Sequence, residues 1–125
     1  VDSFVIHVEP FQSDFRHLAI PVESKDGLAA KISPRFARSP YFLFVNLKGN
    51  NVKGFYILKN PYQGKKTKAG LAAAKLIAKQ KSDVLIAQKV GEIAFHTLRS
   101  NLIDIHQTRE KIAQDAVKKF LISNF

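Results

Sequence analysis

The sequence predicts a three-layer α/β fold built on a mixed five-stranded sheet. Three observations carry this. Strand-like and helix-like segments follow one another as β-β-β-α-β-α-β-α after the first segment. A meander of neighbouring strands opens the series, and each later strand is reached through a helix, the pattern of β-α-β crossovers. The 125 residues include 46% hydrophobic and 24% charged side chains, enough apolar material for one domain with its own core and too much for a disordered chain.

In chain order, "SFVIHVEPF" alternates as a strand and Pro10 ends it, giving an extra N-terminal strand. "QSDFRH" reads as a short connection. "LAIPV" (Leu18 to Val22) is a second strand, in which Pro21 argues for an edge or a bulge. The stretch from Glu23 to Pro40 is a loop, with a turn at Asp26-Gly27 and two Ser-Pro breaks. "YFLFVNL" is almost continuously apolar and reads as a strand buried on both faces. "KGNN" is a hairpin turn and "VKGFYILKN" its antiparallel return. A helix follows to about Lys81. Ala69, Ala73, Leu76 and Ile77 share its inner face, and Lys68, Lys75 and Lys79 the outer one. "SDVLIAQ" is a buried strand, "VGEIAFHTLRS" a short helix and "NLIDIHQ" the last strand. Thr108 is the expected cap of a final helix that turns Ile112, Ala116, Val117, Phe120 and Leu121 inward.

Composition narrows function. Cysteine is absent, which excludes disulfides and thiolate metal sites. No apolar run reaches the roughly 20 residues of a membrane helix. The net charge of +10 favours an anionic partner: a nucleic acid, a membrane surface or an anionic small molecule. Ser-His-Asp spacing, paired glutamates and HExxH are all missing, so the expectation is a non-catalytic protein. The chain also lacks methionine and opens in mid-strand, which reads as a fragment.

From Leu18 to His106 the pieces "LAIPVESKDGLAAKISPRFARSPYFLFVNL", "LKNPY" and "AGLAAAKLIAKQKSDVLIAQKVGEIAFHTLRSNLIDIH" resemble the NifX-like, dinitrogenase iron–molybdenum cofactor biosynthesis family. The resemblance implies a ribonuclease-H-like fold and the binding or carriage of an anionic metal–sulfur cluster. This chain departs from the family pattern in several places. Arg35 stands for the usual loop histidine and Ala37 for the next glycine. Gln88 and Lys89 replace glycines, Gly91 is kept, and Asn101 replaces the glycine before the last strand. An imidazole can ligate a soft metal, whereas a guanidinium recognises oxyanions. A second resemblance covers only "VDSFVIHVEP", which looks like the closing strand of the cytosolic domain of cation efflux transporters. It divides the chain into a strand and linker (1–16) and a NifX-like domain (17–125).

The leading expectation is therefore a cytoplasmic domain that extends the C-terminus of a cation efflux transporter and binds a metal ion or an anionic metal complex in a sensing or regulatory role. Its membrane portion would be the upstream part of the natural chain. The alternatives are a stand-alone accessory protein carrying an iron–molybdenum-type cluster and, third, a basic nucleic-acid-binding domain. His7 and Glu9, two apart on one strand face, are candidate ligands for zinc or another divalent cation, with His17 or a partner chain as a third source. Arg35, Arg38, Lys66, Lys89, Gly91 and His106 are the candidate anion or cofactor residues. Lys65, Lys66 and Lys68 crowd a helix start where an anion would relieve their conflict with the dipole. His106 ends the last strand at the carboxyl edge of the sheet. An exposed "FVIHVEP" strand could also pair two copies into a homodimer.

Overall fold

A computed structural model describes residues 15–123. The strands are β1 (Phe15–Val22), β2 (Tyr41–Lys48), β3 (Asn51–Lys59), β4 (Val84–Ala87) and β5 (Asp104–Gln107). The helices are α1 (Ala69–Lys79), α2 (Glu92–Ser100) and α3 (Ala113–Ser123), with a 3-10 turn at Gly27–Ala29. The sheet runs β3-β2-β1-β4-β5. β1, β2 and β3 pair antiparallel, while β4 pairs parallel with both β1 and β5. The mixed five-stranded sheet and the three later helices are as the sequence predicts. The extra N-terminal strand, with His7 and Glu9, lies outside the described residues.

Period-two alternation splits the strands into two cores. Leu18, Ile20, Val22, Leu43, Val45, Val84 and Ile86 face α3, where Ala113, Ala116, Val117 and Phe120 cover them. Ala19, Phe42, Phe44, Leu85 and Ala87 face α1 and α2, meeting Ala73, Ala74, Ile77, Ala94 and Leu98. Because β1, β2 and β4 are covered on both faces, their sequences are nearly unbroken apolar runs.

Two local expectations are corrected. β1 is the central strand, so Pro21 marks no edge. The Pro21 carbonyl accepts from the Ser33 N–H at 2.9 Å, and a residue's N and C=O point to the same side of a strand. The missing N–H therefore falls on the β4 side, beyond Ala19↔Leu85, where the parallel ladder has stopped. Thr108 does not cap α3, which starts at Ala113. Its Oγ1 instead accepts from the Glu110 N–H at 3.1 Å in a local turn. β1 also begins at Phe15, taking in part of the expected linker.

Turn chemistry fixes the hairpin. Gly49, at φ 59°, takes the first position of the two-residue turn, a left-handed conformation that costs glycine little. β3 then carries one bulge: Asn46 faces Gly54 and Leu47 faces Val52, leaving Lys53 as the extra residue.

Candidate functional site

The loop between Ser33 and Pro40 is held from several sides. Phe36 is its anchor: it is buried in the α1/α2-side core, its ring centroid 5.6 Å from that of Phe42. The buried Ser39 hydroxyl lies 2.7 Å from the Tyr41 carbonyl and 3.0 Å from that of Val22. Asn60 completes the clamp. Its Nδ2 donates to the carbonyls of Ala37 (3.0 Å) and Ser39 (2.9 Å), and its Oδ1 accepts from the Tyr62 N–H at 2.9 Å. With the backbone pinned, Arg35 is left at the surface and Arg38 half-buried.

The two arginines then take different work. One nitrogen of Arg38, Nη1, donates to the carbonyls of Gln63 (3.0 Å) and Lys65, tying down the turn after β3. The Arg35 guanidinium makes no hydrogen bond or ion pair with the described residues, and its fork is available to an anion.

Pro34 to Arg38 form one wall of a cleft of about 630 Å³. Gly70 near the start of α1 and Lys89, Gly91, Glu92, Ile93 and Ala94 at the start of α2 form the rest. Both helices begin without a side-chain cap: α1 follows Lys68, which is left-handed at φ 58°, and α2 follows Gly91. Their first-turn N–H groups add partial positive charge to that of Arg35, Arg38 and Lys89. Glu92, the one carboxylate on the wall, is exposed and sits 3.9 Å from His96 Nε2. The cleft is cationic at its rim and lined inside by Phe36, Ala37, Gly70 and Ala94. None of its lining residues is a cysteine or a histidine, so it offers a bound group charge and amides rather than metal ligands.

Residues 16–123 match the family described as dinitrogenase iron-molybdenum cofactor. The chain belongs to this family. The apo orange protein from Desulfovibrio gigas is 29% identical, with a TM-score of 0.78 over 86% of this chain and 88% of that one. A Thermotoga protein carrying a provisional NifB description is 26% identical, with a TM-score of 0.70 over 84% and 86%. An uncharacterized protein of Methanocaldococcus jannaschii is 24% identical over 104 residues, 83% of this chain and 84% of its own. The match begins at Arg16, so the stretch resembling a cation efflux domain falls outside it.

On this dinitrogenase-cofactor domain, four of the sequence-predicted residues come together: Arg35, Arg38, Lys89 and Gly91 all line the cleft. Two stand elsewhere. Lys66 lies in the turn after β3, off the cleft wall, although the neighbouring Lys65 carbonyl receives Arg38. His106 pairs in register with Ile86, so it points to the α3 side, its ring 5.2 Å from Phe120. A one-residue alternation separates it from the cleft, which opens on the other face. Gln88 also turns away, donating to the Glu110 carbonyl at 3.0 Å. His17, weighed as a third zinc ligand, places Nδ1 2.7 Å from Asn46 Oδ1. Among the described residues no three His, Asp or Glu side chains cluster as a metal site, and no helix is long and apolar enough to cross a membrane. Asn60 was the residue sequence reasoning passed over. Its signal was present in "LKNPY", because Asn before Pro favours a turn in which the side chain bonds two residues ahead.

Proposed function

We propose that the domain is a non-catalytic accessory protein that holds an anionic, iron–molybdenum-type metal–sulfur cluster during cofactor assembly, with the cluster as cargo in the Arg35–Lys89 cleft. The carrying observation is the pairing of cationic groups, Arg35 and Lys89, with two uncapped helix starts around an apolar lining. Polarisable sulfide-rich anions suit such a surface: the apolar lining excludes water, and guanidinium, ammonium and amide groups offset the charge. With arginine at the loop position, the cargo is gripped from outside its metal coordination sphere and can be passed on without breaking a metal–protein bond. Family membership supports this accessory reading. The transporter-extension reading rests on residues 1–10 alone. The sheet order supports a ribonuclease-H-like description of the fold, which by itself confers no nuclease activity.

Anaerobic equilibrium dialysis against tetrathiomolybdate, a small thioanion probe, tests the proposal. Wild-type protein retains the probe, and added salt weakens retention. Arg35→Ala with Lys89→Ala lowers affinity about 10-fold or more, from two lost charge-assisted contacts. Equal retention by the double variant would remove the cleft as the site.

A further inference from the structure

From Gly27 to Ser82 the chain carries twelve basic residues and no carboxylate, while all its other residues together net −2. Among the described residues outside this tract acidic and basic groups nearly balance, at +1, so the excess positive charge is concentrated in the part of the fold that the tract builds. The tract builds β2 and β3, which form one side of the sheet, and α1. The β4-to-α3 part mixes its charges, setting Asp83, Glu92, Asp104, Glu110 and Asp115 against six basic residues. Ten of the twelve basic residues are lysines, and the two arginines sit in the cleft loop.

The outer rim of this half is β3, whose far edge pairs with no strand among the described residues. Large apolar groups are exposed along its α3-side face, Phe55 at 48% and Val52 at 39%, while Tyr56 on the other face is taken up by Phe44. Lys53, the bulge residue, and Lys59 stand exposed between and beyond them. At the hairpin end Lys48 Nζ lies 5.3 Å from the centroid of the exposed Phe15 ring. Lysines on an edge strand also guard against unwanted strand pairing. That accounts for Lys53 and Lys59, but not for the part of Phe55 left exposed beyond its packing on Gly27, or for a tract of this length without a carboxylate.

We propose that the β2–β3 rim docks on an anionic lipid bilayer. Ammonium groups on flexible stems suit a diffuse layer of phosphate headgroups, and aromatic and aliphatic side chains beside them suit the interface just below. Arginine forks, the favoured groups for nucleic-acid phosphates, are absent from the rim. A second copy is an unfavourable occupant, since two such rims would set lysine against lysine. The inference is independent of the cargo cleft.

Sedimentation of the 125-residue chain with vesicles decides it. Binding is expected to phosphatidylcholine vesicles containing phosphatidylglycerol, not to phosphatidylcholine alone, and to fall with salt. Each rim lysine contributes roughly fivefold, so Lys53→Glu with Lys59→Glu lowers the partition coefficient at least about 25-fold. Phe55→Ser lowers it several-fold and keeps the salt dependence. Thermal unfolding of each variant confirms that it folds. Arg35→Ala leaves vesicle binding unchanged, which separates this outcome from that of the cleft. Equal binding to neutral vesicles, no vesicle binding, or an unaltered charge-reversed variant overturns the proposal. So does binding to duplex DNA without binding to vesicles, which assigns the rim to nucleic acid instead.

Discussion

Asn60 Nδ2 donates a 3.0 Å hydrogen bond to the Ala37 carbonyl, joining the end of the β2–β3 hairpin to the middle of the arginine loop. Asn60 is 2% exposed and also bonds Ser39 and Tyr62. Asn60→Ala strands these polar groups in a dry setting, at about 1–3 kcal/mol. The expected result is a urea midpoint lowered accordingly, together with weaker thiomolybdate retention, although Asn60 does not line the cleft. Loss of stability with unchanged retention would mean that the loop keeps its shape without the clamp.

Arg35 and Arg38 should separate in experiment as they do in structure. Arg38→Ala frees the turn at Gln63 and Lys65, so it lowers stability by about 1 kcal/mol and affects retention as well. Arg35→Ala removes a side chain with no bonded partner among the described residues, so stability stays within about 0.5 kcal/mol while affinity for the thioanion falls several-fold. Calorimetric unfolding and dialysis on the same samples give both readouts. A destabilised Arg35→Ala protein would contradict this division of labour.

Much of the fold was legible because burial on both faces leaves β2 and β4 as apolar runs that resist any other reading. Position in the sheet was not. Pro21 reads as an edge signal, because a sequence cannot show that the neighbouring ladder ends two residues earlier. Thr108 has a capping side chain, but its hydroxyl turned to the nearer Glu110 amide. At the site, charge and glycine patterns located Arg35, Arg38, Lys89 and Gly91 because two chain segments converge there. His106 was misplaced relative to them by strand parity, a one-residue matter that loop-level reading does not resolve.

Tyr56 gives the domain an alkaline dependence. Its ring stacks on Phe44 at 5.0 Å, its hydroxyl donates to Gln80 Oε1 at 2.8 Å, and burial raises its pKa above the ordinary 10.0. The folded protein therefore holds this proton more tightly than the unfolded chain does. The resulting stabilisation is fully present below pH 10 and is lost as pH rises from there through the raised value. Urea midpoints measured from neutral pH to beyond pH 10 should fall less steeply on the alkaline side for Tyr56→Phe than for wild type. Lysine deprotonation is common to both proteins and drops out of the comparison. Parallel alkaline slopes would show that the phenol makes no contribution.

Leu102 sits where a helix usually places glycine. It follows the last turn of α2 at φ 61° and is 90% exposed. Its N–H donates to the Arg99 carbonyl and that of Ile103 to Leu98, each at 3.0 Å, the paired closure that requires a left-handed residue between them. The buried contact of this motif is made by Ile103 and Leu98, so the Leu102 side chain contributes little packing in exchange for its backbone strain. A left-handed residue other than glycine costs about 1–2 kcal/mol, partly offset in a glycine variant by the greater freedom of the unfolded chain. Leu102→Gly is therefore expected to raise stability by about 1 kcal/mol and the melting temperature by about 3–5 °C. Leu102→Ala keeps a Cβ in the same conformation and should gain almost nothing. Equal gains from the two variants would trace the effect to removal of an exposed apolar side chain rather than to relief of the backbone.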